Sequence, residues 1–156
     1  MVSWGRIQLV SHPRPERVLL SQSFDGGQLA VLRRSVSKHA AEVGLLDSRR
    51  QDFVLAVDEV ATNAVRHGGG RGRLEVWVAD GRVWFQVSDA GPGFAAALPA
   101  RAPGPTVAGG RGLWITSHVT DDLTIATGPL GTTVTGAMAL PDRRPSATEP
   151  PPALRP

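Results

Sequence analysis

The segment EVATNAVRHGGG, residues 59–70, places a carboxylate and a carboxamide one helical turn apart and then ends in three glycines. Apolar residues from Phe53 onward recur at helical spacing and form one stripe, whereas Glu59 and Asn63 share the opposite flank. The glycines favour termination of the helix directly after this pair. The sequence therefore predicts an amphipathic helix that holds Glu59 and Asn63 side by side, next to a backbone free of side chains.

The rest of the chain divides into short elements by its periodicity and turn residues. Helical spacing runs from 28 to 43, with Gly44 at a C-terminal cap position, and Asp47 or Ser48 can cap the helix that continues to about His67. A third helix is predicted over about 111–119. The predicted strands are 17–24, with 6–10 as a candidate partner, the hairpin 73–91 around Asp80-Gly81, and the pair 123–127 and 132–140.

Helices followed by a hairpin, and then a helix followed by a second hairpin, indicate an α/β two-layer sandwich. We expect one mixed, largely antiparallel sheet with helices on one face. Residues 1–140 are assigned to this single domain, and the proline-rich end, 141–156, to a disordered tail.

Composition narrows the classes of function. The chain has 156 residues and no cysteine, which excludes disulfides, thiolate nucleophiles and sulfur-ligated zinc. The calculated pI is about 10.9, but the basic residues are scattered and the formal net charge is only +3, so direct nucleic-acid binding is not expected. Neither a signal peptide nor a membrane span is evident, and we expect a cytoplasmic protein with no membrane association.

Two glycine clusters follow the amphipathic helix along the chain. DAGPG, residues 89–93, ends a predicted strand, and GGRGL, residues 109–113, opens the third helix. Glycines permit close backbone approach, and the free N–H groups of a helix N-terminus favour an anion. Together the clusters suggest a phosphate cradle, although neither contains the GxxxxGK[ST] pattern of a P-loop.

The order of these motifs resembles that of the GHKL ATPase superfamily, whose ATP-binding domain is the Bergerat fold. The resemblance runs from about Phe24 to Leu140 and rests on Glu-x-x-x-Asn, Asp-x-Gly-x-Gly, Gly-x-Gly-Leu and a final Gly-Thr. Within that superfamily, LAVDEVATNAVRHGG and GGRGLWI are most similar to the small anti-sigma-factor serine kinases of actinobacteria. The resemblance therefore implies a histidine-kinase-like ATP-binding domain.

The resemblance also implies the roles of the two helix residues. Asn63 matches the asparagine that holds Mg²⁺, and a carboxamide oxygen suits such a cation, which keeps waters and substrate phosphates as its other ligands. Glu59 matches the carboxylate that takes a proton from the attacking nucleophile, which makes it the candidate catalytic residue.

The remaining positions are implied to bind ATP. Asp89 matches the residue that accepts the adenine amino group, with Gly91 and Gly93 allowing close approach, and Thr132 matches the threonine that supports adenine recognition. The positions implied at the phosphates are Gly110, Gly112 and Leu113. The loop between the two glycine clusters, 94–108, carries Arg101 as its only charged residue.

The function implied is an anti-sigma factor with serine/threonine kinase activity. Its protein partners would be a sigma factor and an anti-anti-sigma factor that presents the acceptor serine, and a homodimer is left open. One alternative is a module that binds ATP and partners without transferring phosphate. Another is the detached catalytic domain of a histidine kinase, which the missing helical hairpin with an acceptor histidine disfavours.

Overall fold

Five strands and three helices make up residues 11–93 and 111–142, which are the residues that this computed structural model describes. In chain order they are β1 (Arg17–Asp25), α1 (Leu29–Glu42), α2 (Asp47–His67), β2 (Arg71–Ala79), β3 (Arg82–Asp89), α3 (Arg111–Val119), β4 (Asp122–Gly128) and β5 (Gly131–Ala139). The loop 94–108 between the two glycine clusters and the tail beyond Asp142 lie outside the described residues.

The strands form one sheet in the order β1-β2-β3-β5-β4, and all four pairings are antiparallel. The predicted two-layer α/β class is confirmed, with a fully antiparallel sheet across the described strands. β1 pairs with β2, whereas its candidate partner, 6–10, lies outside the described residues. At the β2–β3 turn, Asp80 and Gly81 have φ of 50° and 68°, the left-handed geometry that a two-residue Asp-Gly turn requires.

The core lies between the sheet and the helices. Phe53 of α2 meets Phe85 of β3 edge to face, with ring centroids 5.6 Å apart, and both side chains are fully buried. Burial of such a ring contributes roughly 1.5–3 kcal/mol. The predicted apolar stripe of α2 is therefore the face that fixes this helix to the sheet, and it leaves the Glu59 flank outside the core.

The end of α1 agrees with the sequence-based prediction, whereas the start of α2 does not. Gly44 has φ of 95°, and the N–H of Leu45 donates to the carbonyl oxygen of Ala40 at 3.1 Å, which closes α1 as the cap position predicts. The predicted side-chain cap of α2 is wrong. The helix already begins at Asp47, whose carboxylate lies 3.3 Å from the Arg50 guanidinium one turn later instead of accepting from the helix N-terminus.

The sheet face opposite the helices carries a second apolar cluster. Trp77 and Trp84 stack with centroids 6.0 Å apart and planes 9° from parallel, beside Ala79 and Ala137. The indole N–H of Trp84 donates to the Ala79 carbonyl oxygen at 3.1 Å. Among the described helices, none is both long and apolar enough to cross a membrane.

Candidate functional site

Asp89, the last residue of β3, lies against the C-terminal end of α2. A Cβ added to Gly68 would collide with the Asp89 carboxylate and come within 2.6 Å of the Ala64 carbonyl oxygen. One added to Gly91 would lie 2.5 Å from Gly68 Cα and 2.9 Å from the His67 carbonyl oxygen. Because only glycine leaves room at both positions, the end of α2 and the loop after β3 meet through their backbones.

The Asp89 carboxylate is held in place through one of its two oxygens. Its Oδ1 accepts from the Gly91 N–H at 3.0 Å, and its Cα is in register with Thr132 of β5. Its Oδ2 takes no hydrogen bond from any described residue, and the side chain is half-buried. The arrangement leaves one fixed, partly desolvated acceptor at the end of the strand.

The β4–β5 turn lies beside the end of β3 that carries the Asp89 carboxylate. Thr132 is buried, and its Oγ1 lies 2.9 Å from that of Thr127. Gly131, with φ of 145°, lies so close to the Asp89 carbonyl oxygen that a Cβ would collide with it. Gly93, with φ of 74°, would place a Cβ 3.0 Å from Thr127 Oγ1. We call the junction formed by Gly68, Gly91, Gly93 and Gly131 the glycine corner.

The first turn of α3 lies against the polar flank of α2. A Cβ on Gly112 would come within 2.6 Å of Glu59 Oε2 and 3.6 Å of Asn63 Nδ2. Both side chains predicted from the sequence therefore face the same helix N-terminus, whose first N–H groups have no acceptor within the helix. Glycine at 112 is what allows α2 and α3 to approach at this point.

The environment of Glu59 changes its acidity. Partial burial raises the pKa of the Glu59 carboxyl above its ordinary value, and the negative charge of Asp58 raises it further. The positive charges of Arg66 and Arg111 act in the opposite direction without cancelling the rise. A carboxylate with a raised pKa beside a helix N-terminus has the properties of a general base.

The Leu113 side chain is 5% exposed and belongs to the main core, so a contact to phosphate would have to come from its backbone N–H. Gly110 lies outside the described residues. The sequence had indicated that the glycine triplet leaves a free backbone beside the site, whereas sequence reasoning gave Gly131 no role, although the Gly-Thr pair was the available signal.

The described residues fit an adenine nucleotide. Asp89 offers a free acceptor for an amino group, the glycine corner leaves backbone where a Cβ would fill the space, and the start of α3 offers N–H groups to phosphates. No group of three or more His, Cys, Asp or Glu side chains that could hold a metal occurs within 11–93 and 111–142. A cation at Asn63 would therefore depend on phosphate oxygens and water for its other ligands.

Known structures share this architecture. The RsbU and RsbW domains of Rv1364c from Mycobacterium tuberculosis match with a TM-score of 0.57 and 22% identity, over 78% of this chain and 31% of that chain. The histidine kinase AdeS from Acinetobacter baumannii matches with a TM-score of 0.50 and 15% identity, over 80% of this chain and 69% of that chain. At such identities the likeness shows the fold alone. No curated protein matches the chain.

A family model described as the histidine kinase-like ATPase domain matches residues 23–137. The matched range contains Glu59, Asn63, Asp89 and Thr132, together with the whole glycine corner. Because this range covers most of the chain, the protein belongs to the histidine kinase-like ATPase domain family, as the resemblance to the GHKL superfamily predicts.

Proposed function

We propose that this protein is an anti-sigma factor with serine/threonine kinase activity, which binds ATP and phosphorylates a serine of an anti-anti-sigma partner. The observation that carries the proposal is the contact of Glu59 and Asn63 with the first turn of α3. It brings a carboxylate of raised pKa to the N–H groups that suit phosphate. A partly buried carboxylate at that place suits a base that acts on the phosphate acceptor.

Different residues of the protein would bind the adenine end and the phosphate end of the nucleotide. Asp89 Oδ2 would accept the adenine amino group, and Thr132, in register with Asp89, would support that contact from β5. The triphosphate would follow the glycine corner towards Gly112 and the start of α3. Asn63 would hold magnesium, which when bound supplies positive charge to the phosphates.

Glu59 would act on the acceptor serine. Its carboxylate accepts the proton of the hydroxyl as the hydroxyl oxygen forms a bond to the γ-phosphorus. The bond between that phosphorus and the β–γ bridging oxygen breaks, and ADP leaves with the bonding electrons. Charge that develops on the transferring group is stabilised by the α3 N–H groups, which are fixed before the reaction begins.

The identity of the partners rests on the motifs. LAVDEVATNAVRHGG and GGRGLWI resemble the anti-sigma-factor kinases, and the fold is shared with a solved protein that contains an RsbW domain. This supports a cycle in which the protein binds a sigma factor and is released from it by an unphosphorylated antagonist. A homodimer is compatible with the proposal and is not required by it.

Recovery of the native complex tests the proposal. The tagged protein is purified from its own cell with its bound partners, γ-labelled ATP is added, and phosphoserine is sought on the co-purified proteins. We expect label on serine, and we expect Glu59→Gln to reduce the rate at least about a hundredfold while it leaves ATP affinity unchanged within a fewfold.

Glu75→Gln is the matched control. Glu75 lies between core residues Leu74 and Val76, so its side chain faces away from the helices, where it contacts Arg73 at 3.4 Å. This variant should transfer phosphate at the wild-type rate. If the wild type binds ATP and its partner but transfers nothing, the protein is a binding module, and if label appears on histidine, the serine assignment is wrong.

A further inference from the structure

Two tryptophans on the sheet face opposite the helices are almost fully buried. Trp77 and Trp84 are 5% and 8% exposed, and they lie in register on β2 and β3 with their rings stacked. Their neighbours within the sheet are small or exposed, since Ala137 pairs with Trp84, and Val18, which pairs with Trp77, is 59% exposed. Such side chains do not shield the outer surface of an indole from water. The two rings therefore need a cover that lies outside the sheet.

The chain before β1 lies on this face. The N–H of Glu16 donates to the Val78 carbonyl oxygen at 2.9 Å, which fixes the chain at the hairpin end of the sheet. Further back, the His12 ring lies against Trp84, with ring centroids 5.9 Å apart and planes at 55°. Burial lowers the pKa of His12, and the charge of Asp122 on β4 opposes this. From Glu16 back to His12 the chain thus crosses the outer face towards β4, and His12 covers part of one indole.

The other end of the chain leaves on the side of the helices. Leu140 packs against the main core, and a Cβ on Gly44, at the end of α1, would lie 3.9 Å from Pro141 Cγ. The proline-rich tail contains Leu154 as its one large apolar residue. Residues 1–10 contain six large apolar residues, namely Met1, Val2, Trp4, Ile7, Leu9 and Val10. Position and composition therefore both favour the N-terminal segment as the cover.

The length of residues 1–10 is sufficient for this role. The apolar area lies at the hairpin end of the face, because towards the other end Thr135 contacts Gln86 and Ser88 contacts Thr133, each at 3.3 Å. From β2 across β3 to β5 the distance is two strand spacings, about 10 Å. Ten extended residues span up to roughly 33 Å. The strand pattern of 6–10, which predicts pairing with β1, also suits an extended segment that lies over the sheet.

We infer that residues 1–10 pack across Trp77 and Trp84, so that the chain covers the outer face of its sheet with its own N-terminal segment. The apolar side chains of the segment would lie on the two indoles. Its backbone would offer a carbonyl oxygen to the Trp77 indole N–H, which is buried and has no acceptor among the described residues. A face covered in this way is closed to a second copy of the chain. The inference does not depend on the proposed function, because α2 and α3 pack on the other face.

Hydrogen exchange of the indole protons in the folded full chain tests the inference. Two-dimensional NMR of the ¹⁵N-labelled protein gives one indole signal for each of its 4 tryptophans, which phenylalanine substitutions assign one by one. The double variant Ile7→Asp/Leu9→Asp places charge on the segment. We expect the Trp77 and Trp84 protons to exchange about tenfold faster, and the proton of Trp114 on α3 to stay within about twofold.

Leu154→Asp is the matched control, because it makes the same change of leucine to aspartate at the other end of the chain. It should leave the exchange of all the indole protons unchanged. If the tail were the cover, this variant and not the double variant would expose the two rings.

A nitroxide label provides a second measurement that leaves the apolar side chains intact. The chain has no cysteine, so Gln8→Cys and, for comparison, Ala153→Cys each create a single attachment site. We expect the label at residue 8 to broaden the indole signals of Trp77 and Trp84 more than that of Trp114. The label at residue 153 should not broaden the signals of the two stacked tryptophans selectively.

The outcomes distinguish the possible covers of this face. Unchanged exchange in the double variant, or a label at residue 8 that does not broaden Trp77 and Trp84 selectively, would overturn the inference. Faster exchange in Leu154→Asp would assign the cover to the tail and overturn it as well. Exchange that becomes faster on dilution, together with a dimer mass in sedimentation, would show that a second copy covers the face, which also contradicts the inference.

Discussion

Gly68 and Asp89 lie so close together that the residue directly after α2 must be one without a side chain. The contact joins the helix that carries Glu59 and Asn63 to the strand end that carries the free acceptor. The distance between the two halves of the candidate site is thus set where the backbone of Gly68 meets the Asp89 carboxylate, which its hydrogen bond from the Gly91 N–H holds in place.

Gly68→Ala should lower both stability and nucleotide affinity. The new methyl group would collide with the Asp89 carboxylate, and overpacking of this kind costs about 1–3 kcal/mol. Urea unfolding and ATP titration measure the two effects. Gly128→Ala is the control, because a Cβ at this nearby glycine meets nothing within 4 Å. A Gly68→Ala protein that matches the wild type in both measurements would contradict the contact.

Asp89→Ala and Asn63→Ala should weaken ATP binding in distinguishable ways. Loss of Asp89 leaves an amino group unpaired at a cost of about 1–3 kcal/mol, whether or not magnesium is present. Loss of Asn63 should affect mainly the part of the affinity that depends on magnesium. Titrations with Mg²⁺ and with EDTA separate the two cases. Tight ATP binding by Asp89→Ala would remove the proposed adenine contact.

As the pH is lowered, the rate of phosphotransfer should begin to fall at a higher pH than it would if Glu59 had the ordinary pKa of a glutamate. Glu59 acts as a base only when ionised, and burial together with Asp58 raises its pKa, so protonation inactivates it at a raised pH. Asp58→Asn removes the repulsion and should move the acidic limb of the rate profile to lower pH. An identical limb in the two proteins would show that Glu59 is not the titrating group.

Asp121→Asn should destabilise the fold at neutral pH by about 0.5–1.5 kcal/mol, the usual contribution of a hydrogen bond. Partial burial would by itself raise the pKa of Asp121, but the Ala139 N–H, at 2.7 Å, and the Arg49 guanidinium outweigh it and lower the pKa. The ionised form therefore stabilises the folded state above the ordinary pKa of an aspartate. This stabilisation is lost as the pH falls through the lowered pKa.

Urea midpoints measured between neutral and strongly acidic pH check this expectation. The difference between wild type and Asp121→Asn should shrink as the pH falls. Asp47→Asn is the control, because the Asp47 side chain is 91% exposed and its pair with Arg50 should contribute little. A difference that does not depend on pH would mean that the aspartate acts through its shape and not through its charge.

Truncation after Pro141 should leave the thermal midpoint and ATP affinity unchanged. The tail is rich in prolines, which remove backbone donors, and it has few apolar residues to bury. Differential scanning calorimetry and ATP titration of the truncated protein provide the test. A marked drop in either quantity would show that the domain extends beyond residue 140.

Local signals in the sequence predicted most of the elements, because they depend on periodicity and turn chemistry. Asp80-Gly81 specified its turn without reference to the rest of the chain. Contacts between distant segments could not be predicted in this way. Nothing near Gly131 indicates that it must pass the Asp89 carbonyl oxygen.

The same limit applies to the candidate site. The spacing of Glu59 and Asn63 correctly placed both on one flank of α2, because helical geometry is local. The sequence motif drew attention to the glycines of GGRGL, while the arginine between them became informative only when α3 was seen to pack beside Glu59. The burial of Leu113 likewise depends on how α3 meets the core.

The glycine corner has a consequence for how the protein folds and survives. Its parts come from the end of α2, the loop after β3 and the start of β5, so no fragment of the chain contains a complete site. A nucleotide would bind only the fully folded chain, and ATP at about 100 times its dissociation constant would add about 2.7 kcal/mol to the free energy of unfolding. The lifetime of the protein in the cell would then increase with the concentration of ATP in that cell.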